Sequence, residues 1–176
     1  MKRNKDSIGQ LDRNSRNSRR LFMILTPRSL SYARIAVESL FRNSDEPFNL
    51  VLITDSTDDK QILLGELGNL KSFERSEQSI SVFKEADLNE RESEMFALYP
   101  HIIKFRRGHP CWRKITDPIL LSRDGEEMIL LDPDVYFPNR FCFEETPQSQ
   151  LLLMWQRPSC LLPAEIVNNA MRAGIP

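Results

Sequence analysis

Two carboxylates one residue apart, Asp132 and Asp134, follow the apolar run Met128-Ile129-Leu130-Leu131 and precede Val135-Tyr136-Phe137. Short apolar runs read as buried strands. A like-charged pair at the mouth of such a strand is costly without a counter-charge. A divalent cation, or a proton shared between the acids, would supply one. A hard cation such as Mg2+ or Mn2+ takes oxygen ligands and bridges to substrate phosphates. Asp132 and Asp134 are therefore candidate metal ligands at a metal–phosphate site. A strand followed by a plain polar turn, punctuated by Pro133, accounts for the same residues.

Other elements must position these acids. Residues 21–26 form a continuous apolar run, as expected of a strand covered on both faces. Residues 27–31 read as a loop. Tyr32, Ile35, Ala36, Ser39 and Leu40 then recur at helical spacing, and Asn43-Ser44-Asp45 with Pro47 ends the helix. Residues 48–54 predict a second strand. A helix over 58–70 follows, with Ser56 or Thr57 as its cap, and residues 80–83 predict a third strand. Residues 90–99 look helical, with Pro100 and Gly108 as interruptions. In residues 111–122 the spacing puts Trp112, Ile115, Ile119 and Leu120 on one side. Pro118 sets a helix start near Thr116-Asp117 or a kink. Strands are expected at 127–131, 135–137 and 151–155, and a short helix at 164–172.

This alternation predicts an α/β fold, a Rossmann-like three-layer sandwich with a mostly parallel central sheet. Ligands of such sheets sit outside the carboxyl ends of the strands. Thr26-Pro27-Arg28, Asp55-Ser56-Thr57 and Asp132-Pro133-Asp134 all fall at that edge.

The chain of 176 residues carries 24 Lys and Arg against 25 Asp and Glu, a net charge of −1 that excludes a polyanion binder by overall charge. No nucleic-acid partner is expected. The charge is uneven, because residues 1–20 hold seven Lys or Arg and two Asp among Ser and Asn. They read as a disordered basic tail. Residues 21–145 would then form the α/β domain, and 146–176 a further region after it. No run is long enough to span a membrane, and the apolar stretch after Arg19-Arg20 is too short for a signal peptide. Cys111, Cys142 and Cys160 lack paired spacing, which argues against a zinc site or a disulfide framework. Reduced, buried, inert thiols in a cytoplasmic protein are expected.

In order and spacing, residues 21–140 resemble the nucleotide-binding half of a GT-A-fold glycosyltransferase. The resemblance rests on Leu25-Thr26-Pro27 with Tyr32, on Ile53-Thr54-Asp55, on Trp112-Arg113-Lys114-Ile115-Thr116-Asp117-Pro118, and on Asp132-Pro133-Asp134 after Leu130-Leu131. It implies transfer of a sugar from a nucleotide-diphosphate sugar, favouring a UDP-sugar, to a carbohydrate, lipid or protein acceptor. It implies Mn2+ or Mg2+ as cofactor. Asp134 would ligate the metal, and Asp132 would reach it through water or bind the donor ribose. Thr26, Pro27 and Tyr32 would line the base and ribose pocket, and Asp55 would hydrogen-bond the base edge. Arg113 or Lys114 would approach the diphosphate, with Lys114 joining Asp132 and Asp134 as the catalytic group. Family members usually carry a second half that supplies a late His or a catalytic base, whereas no His follows Asp134 here. The resemblance thus stops after the nucleotide-binding half.

Plainer roles compete at several positions. Asp55 could cap the next helix. Arg113 and Lys114 would by default be solvated helix charges. Asp117 before Pro118 reads as an N-cap, Tyr32 and Trp112 as packing residues, and His109 as a loop residue. Two other functions also fit the motif. One is a non-catalytic nucleotide-binding or assembly module of the same fold. The other is a haloacid-dehalogenase-type phosphohydrolase, which needs its Asp-x-Asp near the chain start and further Thr/Ser, Lys and acidic motifs after it.

Overall fold

A computed structural model describes residues 18–68, 70, 78–145 and 164–172. The basic tail through residue 17 and the strand expected at 151–155 lie outside these residues. The chain divides into two units, one ending at Glu144 and one beginning at Glu145.

The first unit is built on an all-parallel sheet. Among the described residues its strands are β1 (Arg19–Ile24), β2 (Phe48–Thr54), β3 (Ser79–Lys84) and β4 (Ile129–Leu130), in the order β3-β2-β1-β4. β2 is buried at all seven positions, which is why its sequence shows no polar alternation. In β1, side chains alternate between faces. Leu21, Met23 and Leu25 join one core, and Phe22 and Ile24 pack in the other. The strand starts two residues earlier than its apolar run. Arg19 and Arg20, grouped above with the tail, pair in register with Phe48 and Asn49. Their guanidinium groups bind Glu46 and Glu127 in one case and Glu126 in the other.

Helices α1 (Leu30–Asn43) and α2 (Thr57–Gly68) cover one face. Ser56 caps α2, its Oγ accepting from Asp59 N at 3.1 Å. Helices α3 (Glu85–Met95), α4 (Pro100–Gly108) and α5 (Arg113–Leu121) cover the other face, contributing Leu88, Ile103 and Leu120 to its core. The architecture is thus the expected three-layer sandwich.

Three expectations need correction on this second face. The helix expected at 90–99 begins at Glu85 and ends at Met95. Pro100 and Gly108 bound a helix of their own, because Pro occupies the first turn, where its missing N–H costs nothing. Finally, α5 splits its apolar spacing, keeping Leu120 buried and Ile119 packed against the core. Trp112 and Ile115 are exposed, while Arg113, Thr116 and Asp117 are buried.

β4 is shorter than the run that marked it. It pairs Leu21 with Ile129 and Phe22 with Leu130, and Leu131 N donates to Phe22 O at 2.8 Å. Leu130 is 47% exposed, so the strand is not sealed on both faces. Residues 135–137 form no strand. They lead into Phe137, Phe141 and Phe143, whose rings pack together against the α1 side.

Of the second unit, helix α6 (Ala164–Arg172) is described, with the expected bounds. Glu165 in its first turn and Arg172 in its last oppose the helix dipole favourably. Among the described residues, no helix is long and apolar enough to cross a membrane.

Candidate functional site

The chain order reverses direction across the sheet between β1 and β4. In open parallel sheets this switch point opens a crevice at the carboxyl ends of the strands. A cleft of about 170 Å³ lies here, lined by strand residues of β1 and β4 together with Lys114, Pro118 and Asp132. Asp132 comes two residues after the end of β4 and lines the cleft, with its carboxylate exposed at the mouth.

The first turn of α5 spans this edge. Successive helical residues diverge by about 100°. Arg113 and Lys114 therefore reach in different directions from one turn. Lys114 reaches Asp132, and its ammonium bonds directly to that carboxylate. The side chains are 43% and 56% exposed, so water screens the pair and its net worth is small, about 0–1 kcal/mol. Asp132 thus obtains its counter-charge from a lysine. Both acids of the motif are exposed, so burial does not compel a cation between them.

Arg113 goes the other way. Its Nη1 donates to Asp55 at 2.6 Å and to Glu85 at 3.2 Å, and its Nε to Asp117 at 2.8 Å. It therefore ties the ends of β2 and β3 to α5. Arg113 is buried and its donors are committed, so it is neither a solvated helix charge nor a diphosphate contact. Asp55 is half-exposed and held by Arg113, and capping of α2 falls to Ser56 instead.

Behind Arg113 lies an ion network that the sequence did not reveal. Asp117 is fully buried and accepts from Arg113 and from Arg106 Nε at 2.6 Å. Arg106 Nη1 donates to Glu92 at 2.6 Å, and Arg107 also reaches Glu92. Burial pushes the Glu92 carboxyl up, but hydrogen bonds and charge from Arg106 and Arg107 outweigh it, so the group sits below its ordinary value. Burial likewise works against the Arg106 cation, and Asp117 and Glu92 more than compensate, raising its value. Asp117 is thus a structural anion rather than an N-cap. The one clue in the sequence was its i,i+4 spacing from Arg113. Nothing marked Glu92 or Arg106, since apolar periodicity does not register buried pairs.

The remaining expected site residues spread along the same edge. Thr26 and Pro27 follow β1, and Thr26 O accepts from Ser29 N at 3.0 Å in a tight turn that leads into α1. Tyr32 stands in the first turn of α1 and is 47% exposed. Asp134 lies in the exposed turn after Pro133. The structure thus brings Lys114 and Asp132 together at the cleft, and Asp55 and Arg113 at a second point. It leaves Thr26, Pro27 and Tyr32 outside the cleft lining. Trp112 stacks on Phe105 with ring centroids 4.6 Å apart, and His109 Nδ1 accepts from Cys111 N at 3.1 Å in the turn before α5. Cys111 and Cys142 are free thiols and exposed, not buried as expected.

Among the described residues, no group of three or more His, Cys, Asp or Glu could hold a metal. Asp132 and Asp134 therefore do not make a standing metal cage. At the mouth of the crevice stand one exposed ammonium and one exposed carboxylate, paired with each other, and Asp134 is exposed in the turn beyond. No protein-family model, no curated protein and no solved structure matches this chain.

Proposed function

We propose that the chain binds a nucleoside-diphosphate sugar at the crevice between β1 and β4 and acts as a metal-dependent glycosyltransferase of the GT-A type. The observation that carries this is the strand order β3-β2-β1-β4, which sets Asp132 at the switch point with Lys114 bound to it. Asp132 and Asp134 would hold Mg2+ or Mn2+ together with the donor diphosphate, and the metal would stabilise charge on the departing nucleotide. Lys114 carries the chain's own part. Its exposed bond to Asp132 is cheap to exchange, so an incoming phosphate oxygen takes over the ammonium while the carboxylate is released. Thr26, Pro27 and Tyr32, outside the cleft lining, would take the base and ribose. Arg113 positions Asp55 rather than touching the diphosphate.

A second reading is a nucleotide-binding module without turnover. The lack, among the described residues, of a group of three or more His, Cys, Asp or Glu that could hold a metal favours it. Calorimetry with UDP and GDP, with and without Mn2+, combined with a donor-hydrolysis assay separates the two. Manganese-dependent binding with hydrolysis supports the transferase, and binding without hydrolysis supports the module. Lys114→Ala is expected to weaken diphosphate binding about tenfold or more, the worth of one charge-assisted hydrogen bond. Wild-type protein that binds neither nucleotide refutes both readings, and phosphate release from an aryl phosphate favours a phosphohydrolase.

A further inference from the structure

The cleft between β1 and β4 has an apolar floor that nothing in the nucleotide reading uses. Pairing of the two strands runs as far as Phe22 and Leu130, and Leu131 N then donates to Phe22 O at 2.8 Å. Around this point Phe22, Met23, Ile24, Pro118, Leu130 and Leu131 line the cleft. Leu130 is left 47% exposed. The volume is about 170 Å³. An apolar cavity of about 150 Å³ holds a benzene molecule. One leucine or phenylalanine side chain is of that size.

The mouth points to the occupant. Lys114 and Asp132 are bonded to each other, so as a pair they carry no net charge. A simple anion is drawn to the ammonium and repelled by the carboxylate, and for a simple cation the reverse holds. Neither gains much. A plain hydrocarbon fills the floor but covers two charged groups and offers them no partner. The complement of a neighbouring ammonium and carboxylate is the same pair turned round, a carboxylate against Lys114 and an ammonium against Asp132. For both to reach at once, the two ionic groups must sit on one carbon, with an apolar group branching from it toward the floor. That is the α-carbon of a free amino acid. In a peptide the two termini sit on different residues, so a single end offers only one of the charges. The bond between Lys114 and Asp132 is partly exposed and cheap to rearrange, so it yields to such a ligand.

We propose that this cleft binds a free α-amino acid with an apolar side chain of leucine or phenylalanine size. The side chain lies against Ile24, Pro118 and Leu130, the carboxylate takes Lys114, and the ammonium takes Asp132. The inference shares Lys114 and Asp132 with the proposed nucleotide site but needs neither a metal nor a nucleotide, so either can fail without the other. Where both hold, the amino acid occupies the groups that the metal and the diphosphate require and acts as a competing ligand.

Ligand-detected NMR titration of the full chain, free of metal and nucleotide, with L-leucine and L-phenylalanine tests it. Saturable binding of at least one is expected. Isocaproate is leucine without the ammonium, isopentylamine is leucine without the carboxylate, and glycine lacks the apolar group. Each should bind at least about tenfold more weakly than the amino acid. Lys114→Met and Asp132→Asn should each weaken that binding about tenfold with the thermal melt unchanged, because both side chains are exposed. No binding of either amino acid overturns the proposal. Isocaproate or isopentylamine binding as tightly as L-leucine overturns it too, since the mouth would then not read the paired charges. Amino-acid binding that is unchanged in both variants puts the ligand elsewhere on the chain and overturns it equally.

Discussion

Replacing Asp117 with Asn tests whether buried charge holds α5 onto the sheet. Asp117 accepts Arg106 Nε at 2.6 Å and Arg113 Nε at 2.8 Å, and its side chain has no exposure. Asn keeps the shape but offers one oxygen in place of two. One buried Nε then loses its acceptor, and two buried guanidinium groups face a single buried carboxylate, Glu92. A hydrogen bond to a charged group is worth about 1.5–3 kcal/mol, and removing one partner of a buried pair costs about 3–5 kcal/mol. Arg113 keeps Asp55 and Glu85, so the loss should fall near the lower end, about 3 kcal/mol. Against a total stability of about 5–15 kcal/mol this is a large fraction. It corresponds to a fall in Tm of roughly 6–12 °C. Urea unfolding followed by tryptophan fluorescence measures it. Asp55→Asn is the internal control, since Asp55 binds the same Arg113 but is 49% exposed, and should cost about 1 kcal/mol or less. If both variants lose the same amount, or Asp117→Asn loses less than about 1 kcal/mol, burial does not govern this network and the reasoning fails.

Three further outcomes follow from the same structure. Glu92 titrates below its ordinary value in the folded protein, so its contribution is fully present above the ordinary carboxylate range and is lost as pH falls through its lowered value. The stability gap between wild type and Glu92→Gln, from urea unfolding at stepped pH, should therefore be widest near neutrality and close in acid. Gly65 lies within α2, and a methyl group added there would meet nothing within 4 Å, so Gly65→Ala should stabilise by about 0.5–1 kcal/mol. Gly108→Ala should do the reverse, losing about 1 kcal/mol as the Trp112 ring is displaced, with a changed near-ultraviolet circular dichroism signal.

The sheet was legible wherever burial alone decides the residue. Phe48 to Thr54 is apolar enough to announce a central strand, and Ser56 before α2 carries the ordinary capping chemistry. Local signals failed where the interior is built from charge. Arg113 and Asp117 look like surface residues, and become interior ones only because α3 and α4 supply Glu92 and Arg106 from elsewhere in the chain. With those charges turned inward, Trp112 and Ile115 turn outward while Leu120 stays buried, so the buried face is offset from the one that hydrophobic spacing picks. Pro100 and Gly108 were misleading for a different reason, since each breaks a helix interior and each also belongs at a helix end. Of the candidate site, Thr26, Asp55 and Asp132 do follow strands of one parallel sheet, whereas the pairing of Lys114 with Asp132 was not expected, since Lys114 was set toward a diphosphate. The strand order that puts Asp132 at the crossover was not legible either, because pairing partners in a parallel sheet are set by long connections rather than by neighbours in sequence.

The stretch that follows the acidic turn is lashed to α1. Phe137 N donates to Ser39 Oγ at 3.0 Å, and Phe141 N donates to Asn43 O at 3.0 Å. Arg140 Nε reaches Asp45 at 2.9 Å, and Phe143 N reaches the Glu46 carboxylate. At its other end the turn is moored where Leu131 N meets Phe22 O. The pair of aspartates therefore rides on a short cable with both ends belayed, one to the sheet and one to a helix. Both tethers are made by main-chain or side-chain hydrogen bonds, so the place of the acids is fixed by the first strand and by the segment from Ser39 to Glu46 together.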